Sequence, residues 1–128
     1  MNSEDFISSI RLAIEQTEIG ALMQQLQNPA GRSPKESIVV RSTWYNALSV
    51  EDKAHLDAVI KDSVRATVFG FLCSLDGVRK ISEKGHLELR EICSKTGKSN
   101  VISDGNFGSL HDIYLSVLEQ EEGQLGSD

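Results

Sequence analysis

The fold is decided by residues 48–78, where the sequence is LSVEDKAHLDAVIKDSVRATVFGFLCSLDGV. Apolar side chains recur along this stretch at steps of three and four, which is the period of an α-helix with one apolar face. Ser49 is a suitable N-cap residue, and Gly77 supplies the turn that ends the helix. The sequence therefore predicts one long helix with a buried face, made of Leu56, Val59, Ile60, Val64, Val68, Phe71, Leu72 and Leu75.

The second half of this helix is predicted to lie deepest in the fold, because residues 66–75 contain no charged side chain. Gly70 lowers helix propensity by about 1 kcal/mol relative to alanine, so we expect another part of the chain to pack closely against it. The apolar run is shorter than the roughly 18 residues that span a bilayer. The charged side chains of the helix are expected to face water; they are Glu51, Lys53, Asp57, Lys61, Asp62 and Arg65.

Length and composition indicate a single globular domain that covers residues 1–128. The chain is 39% hydrophobic and 25% charged, which is typical of folded rather than disordered proteins. Its net charge is −6 and its pI is about 5.0. DNA, RNA and anionic membranes attract positive charge. We therefore expect neither nucleic acid nor membrane as the main partner.

The cysteines and the first residues indicate a reducing compartment. Cys73 lies in the apolar helix and Cys93 in a predicted strand, so we expect two buried thiols rather than a disulfide. The first five residues contain no basic or apolar segment of the kind that opens a signal peptide. The expected location is the cytoplasm.

Two further helices are predicted before the long one. Residues 3–5 cap a first amphipathic helix, which Gly20 is expected to break, and residues 1–30 form a helical segment whose packing on the core is left open. Both prolines lie in residues 28–34, which indicates a loop. Residues 36–47 form a helix, with a strand over residues 38–40 as the alternative. One side of that helix carries Val39, Val40, Thr43, Trp44 and Ala47.

After the long helix the pattern changes to short strands and turns. Residues 78–81, 86–92 and 99–102 partly alternate between polar and apolar and are separated by glycine-containing turns, which predicts a three-stranded antiparallel meander. A C-terminal helix follows, with a frayed tail over residues 120–128. The expected fold is α+β and mostly helical, with a long central helix. The packed face of the last helix is Leu110, Ile113, Tyr114, Val117 and Leu118, and Leu87 and Leu89 face the long helix.

Charge is unevenly distributed along the second half of the chain. Residues 78–98 contain six basic and three acidic side chains. Residues 99–128 contain six acidic side chains and no lysine or arginine. The predicted sheet is therefore mildly basic, and the C-terminal segment is acidic.

No arrangement of residues indicates catalysis, a metal site or a cofactor. His55, His86 and His111 lack the spacing of metal ligands, and Lys95-Thr96-Gly97-Lys98 lacks the spacing of a phosphate-binding loop. His111 and Asp112 are sequence neighbours, which point about 100° apart on a helix and make poor partners. One alternative is an enzyme with a site assembled from dispersed residues, for which the candidates are His111, Asp112, Asp76 and His86.

Trp44 and Tyr45 are adjacent, so a helix cannot bury both on one narrow face. One is expected to anchor the core, and the other to meet solvent or a partner. We take Tyr45 as the candidate partner contact.

Trp44, Leu48-Ser49 and three later motifs follow the order and spacing of a pattern in small uncharacterised bacterial proteins. The motifs are Phe69-Gly70-Phe71-Leu72, Leu75-Asp76-Gly77-Val78 and Leu110-His111-Asp112-Ile113-Tyr114. The first forty residues are unmatched, and the resemblance supplies no catalytic residues. In size, acidity and lack of motifs the chain is also similar to immunity proteins of bacterial toxin systems, such as those of contact-dependent growth inhibition.

The second similarity implies a role rather than a fold. A nuclease toxin carries a cationic cleft, and an inhibitor that presents carboxylates can occupy it without any chemistry of its own. The expected function is therefore a non-catalytic immunity protein that covers the active site of a basic toxin domain. A structural or regulatory subunit with an apolar interface at Tyr45 or Phe107 is a third possibility. The expected partner contacts are Asp104, Asp112, Glu119, Glu121, Glu122 and Tyr45.

Overall fold

The computed structural model describes residues 1–126, with side chains described through residue 123, and it is mostly helical. A π-helical segment, Arg11–Gln16, links the first two helices, and a two-stranded sheet precedes the last one. No helix in this described part is long and apolar enough to cross a membrane. The elements are α1 (Ser3–Ile10), α2 (Thr17–Gln27), α3 (Glu36–Ala47), α4 (Val50–Leu75), β1 (Leu89–Ile92), β2 (Ser99–Ser103) and α5 (Leu110–Gly126).

The chain forms two compact units. The first unit contains Met1–Arg11 and the chain from Ala66 onward, and the second unit is Leu12–Arg65. The helical run from α1 to α2 and the long helix α4 each contribute residues to both units.

The N-cap of helix α1 is Asn2, one residue before the predicted cap. The Asn2 side chain accepts the Asp5 N–H at 2.8 Å, and the Asp5 carboxylate accepts the Asn2 N–H at 3.4 Å, which together form a capping box. The predicted break at Gly20 is wrong, because α2 continues through it. Gly20 is exposed and has no neighbour within 4 Å of a Cβ position. Its cost of about 1 kcal/mol in helix propensity does not end the helix.

The long helix is present as α4, with 26 residues, but it is less buried than the sequence predicts. The helix begins at Val50, and the Ser49 hydroxyl accepts the Asp52 N–H at 3.1 Å, as the sequence predicts. Its buried residues are confined to the last two turns, so the prediction that the C-terminal end lies deepest holds. Val59 on the expected apolar face is 59% exposed, and Phe71 is 63% exposed.

The core of the first unit joins α1, the end of α4, β2 and α5. Its buried members are Ile7, Leu72, Ile102, Leu110 and Tyr114, with Ile113, Leu118 and Leu89 packed against them. Four of the five residues predicted for the packed face of α5 therefore belong to this core, namely Leu110, Ile113, Tyr114 and Leu118. Residues 120–126 of the predicted frayed tail are helical, and residues 127 and 128 lie outside the described part of the chain.

In the second unit α2 packs against α3. The buried side of α3 is not the side that its apolar pattern predicts. Ser42 and Tyr45 are buried, whereas Val39, Val40 and Trp44 are exposed. The Tyr45 hydroxyl donates to Asp57 Oδ1 at 2.9 Å, and this bond raises the pKa of Tyr45. The polar hydroxyl of Tyr45 can therefore be buried, because Asp57 on α4 accepts its hydrogen bond.

Three of the α4 side chains that were expected to face water instead contact other residues of the second unit. Asp57 accepts the Tyr45 bond, and the Lys53 ammonium lies 5.5 Å from the centre of the Tyr45 ring. Arg65 Nε donates to Glu15 Oε1 at 2.6 Å. Glu15 lies in the π-helical segment and is fully buried, so the arginine compensates a buried charge.

The sheet has two strands rather than three. Residues 78–81 are irregular because the turn that ends α4 uses their N–H groups: Val78 N–H and Arg79 N–H donate to the Cys73 carbonyl at 2.9 and 3.1 Å. The Arg79 side chain then lies over Gly70, where a Cβ would be 2.5 Å from Nη1. The expected close approach to Gly70 is confirmed, and the element that makes it is this turn.

The remaining hairpin pairs β1 with β2 in antiparallel register, from Ile92 opposite Ser99 to Arg90 opposite Val101, with an irregularity beside Leu89. The turn closes through bonds between Cys93 and residues 97–98. Both cysteines are free, as predicted, but Cys93 is exposed because it lies in this turn. Hydrogen bonds at Thr96 and Lys95 lower the pKa of Cys93, whereas burial raises the pKa of Cys73.

Gly77 tests how tightly the end of α4 is packed. Its φ is +80°, and a Cβ there would overlap the Gly105 carbonyl oxygen. We expect Gly77→Ala to lower the free energy of unfolding by about 3 kcal/mol, from left-handed backbone strain plus overpacking. The measurement is urea denaturation followed by circular dichroism.

Gly97→Ala is the matched control, because Gly97 has φ +73° but no neighbour within 4 Å of a Cβ position. We expect it to cost only about 1 kcal/mol, the backbone strain alone. Equal losses in the two variants would show that the contact with Gly105 adds nothing.

Candidate functional site

The Asp76 carboxylate, fully buried, joins the end of α4 to the start of α5. Oδ2 accepts the backbone N–H of His111 at 2.8 Å, and Oδ1 accepts the Ser103 hydroxyl at 3.0 Å. The Asp76 carbonyl accepts the N–H of Gly108, also at 3.0 Å. One residue thus connects the long helix, the second strand and the last helix of the first unit.

The His111 ring adds a second contact to the same oxygen. Nδ1 lies 2.6 Å from Asp76 Oδ2, a distance at which the two atoms share one hydrogen bond. Nε2 lies 3.4 Å from Asp112 Oδ1, at the edge of the exposed surface. Phe69 holds the ring from the side in an edge-on contact, with 6.1 Å between ring centres.

We call the contacts of Asp76 with Ser103, Gly108 and His111 the Asp76 junction. The local sequence explains why it forms. Asp76 directly follows α4, where Gly77 turns the chain, and its charge then lies at the positive N-terminal end of α5. Gly108 is required beside it, because a Cβ would overlap Asp76 Oδ1 and come within 2.6 Å of Ser103 Oγ. The carboxylate therefore acts as a helix cap supplied by a residue 35 positions earlier in the chain.

The arrangement holds a histidine in one orientation but completes no catalytic relay. Ser103 donates to Asp76 rather than to His111, so the serine is not placed as a nucleophile for that base. Among the described residues, no three His, Cys, Asp or Glu side chains are grouped to hold a metal ion. Of the four candidates for a dispersed site, Asp76, His111 and Asp112 meet. His86 does not join them and lines a separate cavity.

The expected partner contacts fall into three groups in the structure. Asp112, Glu119 and Glu122 are exposed on one face of α5, because their spacing of seven and three residues keeps them on the same side. We call these three residues the acidic face; the Asp112 side chain is 73% exposed. Asp104 is also exposed, in the loop before α5, where its carboxylate accepts the Asn106 N–H at 2.9 Å.

Glu121 and Tyr45 differ from expectation. Glu121 points away from the acidic face, and its Oε2 accepts Arg11 Nη2 at 2.7 Å, which attaches α5 to the end of α1. Tyr45 is only 3% exposed and belongs to the core of the second unit, so it is not a surface contact. The expectation that one of the two adjacent aromatics is buried is right, but the exposed one is Trp44.

Phe107 is the most exposed aromatic side chain of the described residues, at 82%. Its φ of +53° lies in the left-handed region, which a bulky residue rarely adopts. The next residue, Gly108, is fixed by its bond to Asp76 and by the tight packing there. The loop conformation is therefore imposed by the Asp76 junction, and it leaves the Phe107 ring in solvent.

A scan against protein-family models found no match, and searches of curated proteins and of solved structures also found none. Functional inference for this chain therefore rests on its own residues and their contacts.

Removing the Asp76 carboxylate tests whether it holds the junction together. We expect Asp76→Ala to lower the free energy of unfolding by about 3 kcal/mol, because the His111 N–H loses its acceptor and the Ser103 hydroxyl keeps only the Leu75 carbonyl, at 3.3 Å. Urea denaturation measures the loss.

Asp112→Ala is the control, since it removes an exposed carboxylate from the same helix turn. We expect a loss of at most about 1 kcal/mol, the size of a surface charge effect at a helix N-terminus. A similar small loss in Asp76→Ala would contradict the role assigned to the buried carboxylate.

Proposed function

We propose that the chain is a non-catalytic binding protein, a bacterial immunity protein that neutralises a cationic, nuclease-type toxin by covering its active site. The observation that carries the proposal is the acidic face of α5. Three carboxylates lie in a row on one helix, and the chain contains no lysine or arginine after residue 98. No positive charge on that segment opposes them.

The acidic face is presented by a rigid element. Helix α5 is anchored on its other side by the fully buried Leu110 and Tyr114, by the Asp76 cap at its start and by the Arg11–Glu121 ion pair further along. Carboxylates held in place before binding lose little conformational entropy when a complex forms. This distinguishes the face from acidic residues on a disordered tail.

The dimensions suit a groove rather than a single pocket. From Asp112 to Glu122 the helix rises about 15 Å, at 1.5 Å per residue. Leu115, which is 42% exposed, lies between the carboxylates and offers apolar contact within the row. A cleft that binds a nucleic-acid backbone presents successive positive groups along such a length, and electrostatic attraction would accelerate association with it.

This function places the chain in the cytoplasm, where a nuclease toxin meets nucleic acid. The similarity to immunity proteins in size and acidity supports the same role. Asp104 lies in the loop that leads into α5 and is exposed, so it is available as a further contact beside the helix.

A second candidate function is an enzyme that uses His111 as a general base, and one observation favours it. The contact of Nδ1 with the buried Asp76 orients the ring, and in the tautomer that donates from Nδ1 the Nε2 atom can accept a proton. The absence of a serine or cysteine bonded to this ring, among the described residues, weighs against nucleophilic catalysis. The same contact is fully explained by the junction between α4 and α5.

Neutralising the acidic face tests the proposal. The variant Asp112→Asn, Glu119→Gln, Glu122→Gln removes three charges with little change in side-chain volume. We expect its association rate with the toxin domain to fall about tenfold or more and to depend less on salt, because steering by these charges is lost. Stopped-flow fluorescence at several ionic strengths measures both.

The matched control removes three exposed carboxylates from the second unit, with Glu18→Gln, Glu36→Gln and Asp62→Asn. Its net charge equals that of the test variant, so only the position of the charges differs. Equal loss of association rate in both variants would show that overall charge, rather than the acidic face, attracts the partner.

The biological role is tested by searching the genes beside that of this chain for a nuclease-type toxin domain and co-expressing that domain with the chain. We expect the unaltered chain to restore growth and the test variant to restore it less than the control variant does. Growth arrest that the unaltered chain does not relieve would contradict the proposal.

A further inference from the structure

A small basic cavity lies beside the end of α4 in the first unit, on the part of the chain that the proposed function does not use. Its volume is about 180 Å³. The residues around it combine positive side chains, hydroxyl groups and glycines. They are Ser74, Gly77, Arg79, Lys80, Ile81, Ser82, Gly85, His86, Leu87 and Gly105.

The positive charges at this cavity have no protein partner among the described residues. Among the side chains described, through residue 123, no carboxylate lies within 4.0 Å of Arg79 or Lys80, and none lines the cavity. The guanidinium of Arg79 is instead held against Gly70 by van der Waals contact. Both side chains are exposed, so their charges are accessible to a ligand in solution.

The carboxylates that are closest to the cavity in sequence do not line it. Asp76 is buried and bound to Ser103 and His111. Glu88 pairs with Arg90, and Asp104 accepts the Asn106 N–H. Glu83 is exposed in the same loop and does not line the cavity.

Hydrogen-bond donors are present beside the charges. Ser82 Oγ accepts the Gly85 N–H at 3.2 Å, which leaves the Ser82 hydroxyl proton to donate to a ligand. The Ser74 hydroxyl is already bound to the Gly70 carbonyl at 3.2 Å. Within the described part of the chain, the N–H groups of Lys80 and Ile81 make no hydrogen bond to another residue.

The walls of the cavity are formed before any ligand binds. A Cβ at Gly77 would overlap the Gly105 carbonyl, and a Cβ at Gly105 would overlap the Leu87 carbonyl. Backbone segments from three parts of the first unit therefore meet at van der Waals distance. Such packing fixes the backbone around the cavity, which reduces the entropy lost on binding.

We propose that this cavity binds a phosphate-class oxyanion, either free phosphate or the phosphate of a small phosphomonoester. The Arg79 guanidinium offers paired N–H donors that match phosphate oxygens, and Lys80 adds a second positive charge. The volume is below the 300–1,000 Å³ or so of pockets for drug-sized ligands, so the recognised group is small. The proposal does not depend on the proposed function, since it concerns different residues and a ligand of opposite charge.

The test is a titration of the full chain with inorganic phosphate, followed by amide chemical shifts in ¹H–¹⁵N NMR spectra at constant ionic strength set with sodium chloride. We expect saturable shifts that are confined to residues 79–87 and Gly105, with a dissociation constant on the order of 1 mM for so small an anion. A parallel titration with acetate is expected to give shifts that do not saturate.

Methyl phosphate distinguishes the two sources of the group. Binding that is tighter than for inorganic phosphate assigns the site to a phosphomonoester, and binding that is weaker assigns it to free phosphate. Either result supports the proposal. If neither phosphate compound gives saturable shifts at these residues, the proposal is wrong.

Two variants and a matched pair of controls locate the binding. Arg79→Ala and Lys80→Ala are each expected to weaken phosphate binding at least tenfold. Lys95→Ala and Lys98→Ala remove exposed charges from the hairpin turn, which does not line the cavity, and are expected to leave binding unchanged. Because Arg79 also packs on Gly70, Lys80→Ala decides the matter if Arg79→Ala does not fold. Equal weakening by the Lys80 and Lys95 variants would overturn the assignment to the cavity.

Discussion

The first unit depends on one buried carboxylate. Asp76 follows the last turn of α4, and its two oxygens and its carbonyl bind residues from β2, from the loop before α5 and from α5 itself. An unpaired charge at this depth would cost several kcal/mol, so each of these donors is needed. The position of α5 follows from this requirement: the helix starts where its first N–H groups can reach the carboxylate.

The Asp76 junction positions both of the surfaces to which a function is proposed. It directs one side of α5 into the core and leaves Asp112, Glu119 and Glu122 on the other side, where they form a charged surface on a fixed support. It also fixes Gly77 against Gly105, and this contact builds one wall of the basic cavity. The negative and positive surfaces of the first unit thus share one structural origin, although they would serve different ligands.

The sequence predicted the features that depend on neighbours along the chain. The bounds of α3, the length of α4, the packed face of α5 and the hairpin turn around Gly97 follow from periodicity, caps and turn residues. The errors concern hydrogen-bond partners that periodicity does not identify. Tyr45 is buried because Asp57 accepts its hydroxyl, and residues 78–81 are not a strand because the Cys73 carbonyl accepts the N–H groups of Val78 and Arg79. Asp76 and His111 were both candidates for a site, but nothing local indicates that they meet.

Hydrogen exchange at the His111 amide tests the central role of Asp76 most directly. N–H groups in the first turn of a helix have no partner within the helix and normally exchange quickly. Because Asp76 Oδ2 accepts the His111 N–H at 2.8 Å in the interior, the structure predicts that native-state exchange is slowed by about a thousandfold or more, as for core amides. Exchange of this amide at the rate of an unprotected peptide would contradict the account.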